Sequence, residues 1–315
     1  MITFVYGRPG TGKTTLLRDM IVADLRESKS VVVLVPEQFT VGTEQLLTDA
    51  VEAAGDSIRS IGLDVLNFSR LANSVFRTCG GLSYNYIGKG AQTLIMWRAL
   101  TEAAPGFKEY PSDSAAISDP SFIKLMLSTV KSFKMYGINP DRLDAAAEKL
   151  DDTPLKRRVE DLCLIYTLYN HLLHNEYDDP QDDLTRLAET LDKHQWFAGK
   201  NVYLDSFDGY TPQELAALKR IMRQADNVTI TFGCLPDEQS ICYTKLRDTA
   251  RTLTRMVGDL NLKRTEDIII SEYRRFSSPA IAFLSENIWN YASDVTLENH
   301  DGISLVECPD IYSEC

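Results

Sequence analysis

The sequence has no long apolar run. Its longest stretch of purely aliphatic side chains covers residues 31–35, far short of the roughly 20 consecutive apolar residues that a membrane-spanning helix needs. The first ten residues contain no basic segment followed by an apolar one, so we expect no export signal. With 44% hydrophobic and 25% charged residues, the chain also lacks the composition of collagen, disordered segments or coiled coils. We therefore expect a soluble protein of the cytoplasm with no membrane partner.

Cysteine and histidine, the usual zinc ligands, are few and scattered. The six cysteines contain no C-x-x-C pair, which is the pattern of reduced cytosolic thiols rather than of a disulfide framework or a zinc site. Two of the four histidines, His171 and His174, are spaced i, i+3 on a predicted helix without a nearby third ligand. Because a zinc ion needs at least three protein ligands, we expect no dedicated metal site.

Positive charge is in deficit: 33 lysines and arginines face 45 aspartates and glutamates, giving a net charge of −12. This balance argues against indiscriminate nucleic-acid binding by the whole chain but leaves room for a local basic groove. Two basic clusters occur in one region, the first formed by Lys124, Lys131 and Lys134 and the second by residues 156–158. They belong either to a solvated helix face or to a nucleic-acid groove, and the sequence leaves both interpretations open.

Short apolar runs alternate with amphipathic segments in the first ninety residues and again after residue 197. This alternation predicts βαβ units and a parallel sheet. Residues 91–196 instead carry apolar side chains at helical spacing, which predicts a helical insertion. The expected strands are residues 2–6, 31–35, 65–68, 202–204, 228–232, 268–270 and 303–306, and the expected helices include residues 14–25, 43–54, 71–76, 94–100, 122–133 and 159–173.

The strongest motif is GRPGTGKT at residues 7–14, which matches G-x-x-x-x-G-K-[ST] between a predicted strand and a predicted helix. The glycines let successive backbone N–H groups face a phosphate, and the helix N-terminus adds its positive dipole. We expect Lys13 to reach the β- and γ-phosphates of ATP and the Thr14 hydroxyl to ligate Mg²⁺. The predicted nucleotide-binding residues are Gly7, Arg8, Gly10, Thr11, Gly12, Lys13, Thr14 and Thr15.

A second acidic position is expected where a later strand ends, because open α/β sheets bind ligands at the carboxyl ends of their strands. The apolar run ending in Asp205 fits an aspartate that holds Mg²⁺ through water. Hydrolysing motors usually have glutamate next, where it orients the attacking water, but Ser206 follows here and its hydroxyl is too weak a base. Asp208 replaces that glutamate only if the turn folds back. We therefore expect weak or absent hydrolysis.

Four segments resemble one known family. GRPGTGKT, VVVLVPEQFTVGTEQ, VLNFSRLANSVF and VYLDSFDGYTPQE are similar to AddB proteins, the B subunits of bacterial AddAB helicase–nucleases and relatives of the UvrD-like superfamily 1 helicases. The resemblance spans essentially the whole chain and implies the N-terminal part of a longer subunit. It implies a RecA-like P-loop domain at residues 1–90 and 197–301, a helical insertion at 91–196, and a second RecA-like domain beginning at 302–315.

The resemblance also implies roles for particular residues. Asp205 takes the position of the helicase motif II aspartate and Ser206 that of its glutamate, whereas the arginine finger, the nuclease residues and the iron–sulfur cysteines would lie beyond Cys315. Residues 36–40 fall where related helicases contact single-stranded DNA, although packing at a strand end is the other interpretation. The DNA-contact candidates are Gln38, Phe39, Thr40, Ser69, Arg70, Lys131 and Lys134.

The leading hypothesis is an ATP-binding, DNA-engaging subunit of a helicase–nuclease. The resemblance implies an AddA-type partner in a heterodimer, single-stranded DNA and duplex ends as substrates, a role in double-strand-break repair and homologous recombination, and a complex that pauses at the hotspot sequence Chi. One alternative is an active DNA-dependent ATPase in which Asp208 replaces the missing glutamate. A small-metabolite kinase is the other, and it is disfavoured because Asp205 follows Lys13 by 192 residues.

Overall fold

The computed structural model describes residues 1–55, 62–82, 85–174, 176–276, 278–288, 296–298 and 301–314. This part of the chain divides into two compact units, and we describe each by itself. The sheet unit takes the described residues of Met1–Leu66, Gly199–Gly209 and Ala225–Cys315. The helical unit takes those of Asn67–Ala198 and Tyr210–Gln224.

Six strands and thirteen α-helices lie within the described ranges. The strands are β1 (Ile2–Gly7), β2 (Ser30–Leu34), β3 (Leu63–Leu66), β4 (Lys200–Leu204), β5 (Asn227–Phe232) and β6 (Ile268–Ile270). The helices are α1 (Lys13–Arg26), α2 (Thr40–Ala53), α3 (Phe68–Cys79), α4 (Lys89–Ala103), α5 (Ser114–Ile117), α6 (Pro120–Met135), α7 (Pro140–Ala147), α8 (Pro154–His174), α9 (Asp183–Lys193), α10 (Pro212–Gln224), α11 (Thr244–Asp259), α12 (Pro279–Asn287) and α13 (Ile311–Glu314). No helix in these ranges is both long and apolar enough to cross a membrane.

All six strands form one parallel sheet in the order β3-β2-β4-β5-β1-β6. The first strand lies between β5 and β6, and β5 separates it from β4. Because the strands are parallel, the carboxyl ends of β1, β4 and β5 meet at one edge of the sheet, where proteins of this class bind ligands. The predicted α/β class with a parallel sheet is confirmed.

The strands of the sheet unit are almost continuous apolar runs in the sequence, because their side chains are buried in its core. Phe4 and Tyr6 of β1 and Phe232 of β5 pack ring against ring, with centroids 4.9 to 6.4 Å apart. Leu17 and Ile21 of α1 belong to a second buried cluster with Val31 and Val33 of β2. Parallel strands are normally covered on both faces, so they need few polar positions.

The helical unit has an apolar core of its own, built mainly by α4, α6 and α8. Met96, Leu100 and Tyr169 are almost completely buried there. Local sequence sets where its helices begin, because the side chains of Asp119 and Asn139 accept backbone N–H bonds and a proline follows each of them at the first helical position.

The strands predicted at 2–6, 31–35, 202–204, 228–232 and 268–270 are confirmed to within two residues at each end. The strand expected at 65–68 lies at 63–66, because Asn67 already caps α3 by accepting the N–H of Arg70. The strand expected at 303–306 is wrong. These residues pair with no strand in the described part of the chain, and Leu305 is fully exposed. Apolar residues alone do not make a strand without a neighbouring edge to bond.

Candidate functional site

The glycine-rich loop, residues 7–14, connects the end of β1 to the start of α1. Gly10 and Gly12 have φ values of +87° and +94°, a region that other L-residues enter only at a cost. A Cβ atom at Gly7 would lie 2.6 Å from the Thr11 hydroxyl, closer than two such atoms can approach. The shape of the loop therefore requires these glycines. The first N–H groups of α1 have no partner within the helix and are available to a group bound at its N-terminus.

Lys13 begins α1 and extends its amine along the loop. Its Nζ donates to the carbonyl oxygen of Arg8 at 2.9 Å. Burial lowers the pKa of the Lys13 amine, and the charge of Asp205 offsets part of that effect. The loop thus holds a cation beside the first turn of α1, where an anion would also meet the positive end of the helix dipole.

Asp205, the first residue after β4, is buried between two hydroxyl groups. Its Oδ2 accepts from the Thr14 hydroxyl at 3.2 Å, and its Oδ1 accepts from the hydroxyl of Thr231 on β5. Its own backbone N–H donates to Leu34 at 3.1 Å, which fixes the residue to β2. A carboxylate next to a threonine hydroxyl is an all-oxygen donor set of the kind that Mg²⁺ prefers. The residues present therefore fit a magnesium ion held by Thr14 directly and by Asp205 through water.

These groups open onto a cavity of about 710 Å³, a size typical of small-molecule and cofactor sites. Cationic and acidic side chains share its wall, including Lys13, Asp205 and Asp208. The full lining is Pro9, Gly10, Gly12, Lys13, Thr14, Thr15, Gln38, Phe39, Asp205, Ser206, Phe207, Asp208, Thr231, Gly233, Arg274 and Arg275. Five of the residues predicted to bind nucleotide line this cavity, namely Gly10, Gly12, Lys13, Thr14 and Thr15.

The side chains of Arg8 and Thr11, two residues predicted to bind nucleotide, do not line this cavity, and their contact with nucleotide stays a prediction. The Arg8 guanidinium is turned away from the cavity and binds both carboxylate oxygens of Glu238 at 2.8 and 3.1 Å. Burial favours the neutral form of Glu238, but the hydrogen bonds from Arg8 outweigh it and lower the pKa of the carboxyl. Thr11 is buried and donates to the Arg8 carbonyl at 2.9 Å. Both side chains shape the loop instead of lining its cavity, and Gly7 does not line it either.

Arg274 and Arg275 are cavity residues that the sequence reasoning missed. Their backbone N–H groups donate to the carbonyl of Gly10 at 2.9 and 3.0 Å, which fastens the segment after β6 to the loop. Both side chains are exposed, and neither forms an ion pair with another residue of the described ranges. The one signal in the sequence was a pair of adjacent arginines just after an apolar strand.

Ser206 has a left-handed backbone, with φ at +64°, and this redirects the chain after β4. The turn brings Asp208 into the wall of the same cavity as Lys13. The carbonyl of Asp208 is held by the Thr249 hydroxyl at 3.1 Å. Asp208 and Lys13 thus line one cavity, and a role of Asp208 in hydrolysis stays a prediction.

Among the DNA-contact candidates of the sheet unit, Gln38 and Phe39 line the cavity and are exposed, Phe39 by 46%. Thr40 is wrong as a candidate, because its side chain is 2% exposed and its hydroxyl bonds the Pro36 and Glu37 carbonyls in the turn that starts α2. In the helical unit, Ser69 and Arg70 are exposed in the first turn of α3. Their contact with DNA stays a prediction.

Lys134 is also wrong as a DNA contact. Its side chain is only 3% exposed, and its Nζ binds Asp179 at 2.9 Å and Asp182 at 2.8 Å. A buried amine held by two carboxylates is a structural ion pair and is closed to a passing phosphate. Lys131, half-buried on the same helix, keeps its place as a candidate. The second basic cluster is partly neutralised, since Arg157 pairs with Glu109 and Asp152.

The fold and the site together define an α/β protein with a parallel sheet and a glycine-rich loop at its carboxyl edge. Its sequence matches the profile described as "ADDB, N-terminal" over residues 4–285. The chain therefore belongs to the AddB N-terminal family.

Relatives support the same assignment along the whole chain. Proteins named as the B subunit of an ATP-dependent helicase/deoxyribonuclease are similar to 99% of this chain, with 30% identity in Caldanaerobacter subterraneus, 27% in Acetivibrio thermocellus and 25% in Clostridium acetobutylicum. The chain spans 27 to 28% of the length of these relatives.

Proposed function

We propose that this chain is the N-terminal, ATP-binding part of the B subunit of a helicase–nuclease, with a RecA-like arrangement of its sheet unit. The observation that carries the proposal is the meeting of Lys13, Thr14 and Asp205 in one cavity at the carboxyl edge of the sheet. Two segments far apart in sequence supply these groups, so their meeting is a property of the fold. ATP with Mg²⁺ is the ligand whose charges and oxygen chemistry they match.

Each group has a distinct task toward such a ligand. Lys13 would exchange its bond to the Arg8 carbonyl for the β- and γ-phosphates, and the N-terminal N–H groups of α1 would receive the β-phosphate. Thr14 and Asp205 would hold Mg²⁺, which supplies charge neutralisation at the phosphates. Arg274 and Arg275, which line the same cavity, would add positive charge for the triphosphate.

Binding is tested by titrating a fluorescent ATP analogue into the purified chain with Mg²⁺. Lys13→Ala should abolish binding without unfolding the protein, because the loop is shaped by its glycines and by the Arg8–Glu238 pair. Lys29→Ala, an exposed lysine that pairs with Asp24 and Glu27 outside the cavity, is the matched control and should bind normally. Equal binding by Lys13→Ala and the wild type would disprove the proposal.

We propose further that this site binds ATP but turns it over weakly. The residue after Asp205 is Ser206, whose hydroxyl is too weak a base to activate water, and both oxygens of Asp205 are already engaged by hydroxyl groups. The protein would then use ATP as a bound ligand that fixes its conformation, while a motor partner drives movement along DNA.

A second candidate, active hydrolysis, is favoured by one observation. Asp208 lines the cavity and, within the described ranges, its carboxylate forms no ion pair or hydrogen bond, so it is available to accept a proton from water. If this candidate holds, Asp208→Ala should abolish turnover and leave binding unchanged. Asp237→Ala removes an exposed carboxylate that does not line the cavity and should change neither.

The role of the whole protein follows as a proposal from the family. The relatives are named as B subunits of an ATP-dependent helicase/deoxyribonuclease. This name supports a cytoplasmic heterodimer with an AddA-type partner. The heterodimer would process DNA ends in double-strand-break repair and homologous recombination. In this scheme Gln38, Phe39, Ser69, Arg70 and Lys131 contact DNA, and nuclease residues and an iron–sulfur cluster lie in other parts of the protein. Co-purification of the tagged protein with its partner and retention of both on a DNA end tests the assembly.

A further inference from the structure

A second cavity of the sheet unit lies against α11. It has a volume of about 410 Å³ and shares no lining residue with the nucleotide cavity. Its wall contains four arginines, Arg247, Arg251, Arg255 and Arg264, and a single acidic residue, Asp267. Positive charge is therefore in clear excess around this cavity, although the chain as a whole has a net charge of −12.

Three of these arginines form a stripe along one helix. Arg247, Arg251 and Arg255 follow each other at i, i+4 and i+8 on α11, so their side chains lie on the same face. At a rise of about 1.5 Å per residue the stripe is about 12 Å long. Like charges at this spacing destabilise a helix, so the stability of α11 does not explain why they are placed together.

Groups of the protein neutralise this stripe only in part. Arg247 donates through Nη1 to the Glu238 carbonyl at 2.8 Å, but its buried Nε has no hydrogen-bond partner among the described residues. Arg251 pairs with Asp248 at 3.3 Å, and both side chains are largely exposed. No ion pair or hydrogen bond joins the Arg255 side chain to another residue of the described ranges.

Arg264 faces the stripe from another part of the cavity wall and is held in place. It pairs with Asp267, and its guanidinium carbon lies 4.4 Å above the centre of the Phe4 ring. Such an arginine is already ordered before a ligand arrives, which lowers the entropy cost of binding.

We propose that this cavity binds the backbone phosphates of single-stranded nucleic acid. Guanidinium groups bind phosphate oxygens through paired N–H donors, and Arg251 and Arg255 are exposed and open to such a ligand. A stripe about 12 Å long suits successive phosphates of one strand better than one small anion. The inference rests on the DNA engagement proposed above and adds the place where the strand is held.

The test is fluorescence anisotropy of a labelled oligothymidylate with the purified chain over a series of salt concentrations. Arg251→Gln with Arg255→Gln should weaken binding at low salt and reduce the slope of log K against log salt by about 1.4, because each phosphate contact on a single strand contributes about 0.7. Arg18→Gln with Arg26→Gln on α1 removes the same charge elsewhere and should leave the slope unchanged. Thermal melting checks that both variants fold, and Arg255→Gln alone serves if the double variant does not.

The outcomes separate the inference from the proposed function. If the wild type binds the oligonucleotide and the α11 variant keeps the wild-type slope, the inference is overturned and DNA engagement stands. If the wild type binds ATP but no oligonucleotide, DNA engagement by this chain fails and the inference fails with it. If inorganic tripolyphosphate raises the melting temperature of the Lys13→Ala variant, which lacks the nucleotide-binding lysine, but not of the same variant carrying Arg251→Gln and Arg255→Gln, while the oligonucleotide does not bind, the cavity takes small anions and the strand assignment is overturned.

Discussion

Replacing Lys134 by methionine should strongly destabilise the helical unit. We expect this loss of stability, and not a direct loss of DNA contacts, to be the effect of the substitution. The Lys134 amine is bound by Asp179 at 2.9 Å and by Asp182 at 2.8 Å, and Asp179 is as deeply buried as the lysine. Methionine fills a similar volume but leaves the Asp179 carboxylate buried beside an apolar chain, with the Gln181 N–H at 3.0 Å as the remaining partner that the structure describes for it.

Removing one partner of a buried ion pair costs about 3–5 kcal/mol. For a domain of about 150–250 residues each kcal/mol lowers the melting temperature by about 2–4 °C, so the expected loss is roughly 6–20 °C. Differential scanning calorimetry measures it directly. Lys131→Met, on the same helix but half-buried and outside the ion pair, is the matched control and should lie within about 0.5 kcal/mol of the wild type.

A rescue variant separates the buried charge from other effects. Combining Lys134→Met with Asp179→Asn removes the unpaired carboxylate and should recover part of the lost stability. An unfolding free energy of Lys134→Met within about 1 kcal/mol of the wild type would refute the reasoning, and so would a loss of DNA affinity at unchanged stability.

Three further predictions concern the sheet unit. Arg8→Ala should cost about 1–3 kcal/mol of unfolding free energy, because it leaves the Glu238 carboxylate buried without its cation, and adding Glu238→Gln should restore part of it in the same melting assay. The pKa of Asp24 is lowered, because hydrogen bonds from Tyr203 and other donors outweigh the effect of burial. The ionised Asp24 carboxylate therefore stabilises the fold at pH values above its unfolded-state pKa. That contribution is lost as the pH falls below about 4. Asp24→Asn should flatten the acid side of the stability curve, and an unchanged curve would contradict this. Asp205→Asn should weaken ATP binding about 10–100-fold with Mg²⁺ and leave binding in EDTA unchanged, as measured by calorimetric titration.

The glycine-rich loop was predictable because the features that mark it in the sequence are local. The strand before it, the helix after it and the glycines at left-handed positions all lie within residues 2–26. Asp205 was predictable for a related reason, since a polar residue directly after an apolar run marks the end of a parallel strand. What brings these two segments together is the strand order, which places β1 and β4 on either side of β5.

Other site residues depend on contacts between distant segments. Arg274 and Arg275 reach the loop only because β6 pairs with β1 at the edge of the sheet. The hydrophobic periodicity of the sequence does not predict which strands pair. From the sequence, Lys134 is expected to be an exposed basic residue. Only the fold places Asp179, which is distant in sequence, against it and buries the pair. The left-handed backbone of Ser206 decides where Asp208 points, and a serine carries no sequence signal for that conformation.

Turnover of ATP by the purified chain, with Mg²⁺ and with or without single-stranded DNA, tests the central claim most directly. We expect the wild type to bind ATP, the Lys13→Ala variant not to bind it, and phosphate release by the wild type to stay near background whether or not DNA is present. Release stimulated by DNA and abolished by Asp208→Ala would show that this site is a working ATPase, and the account of Ser206 would be wrong.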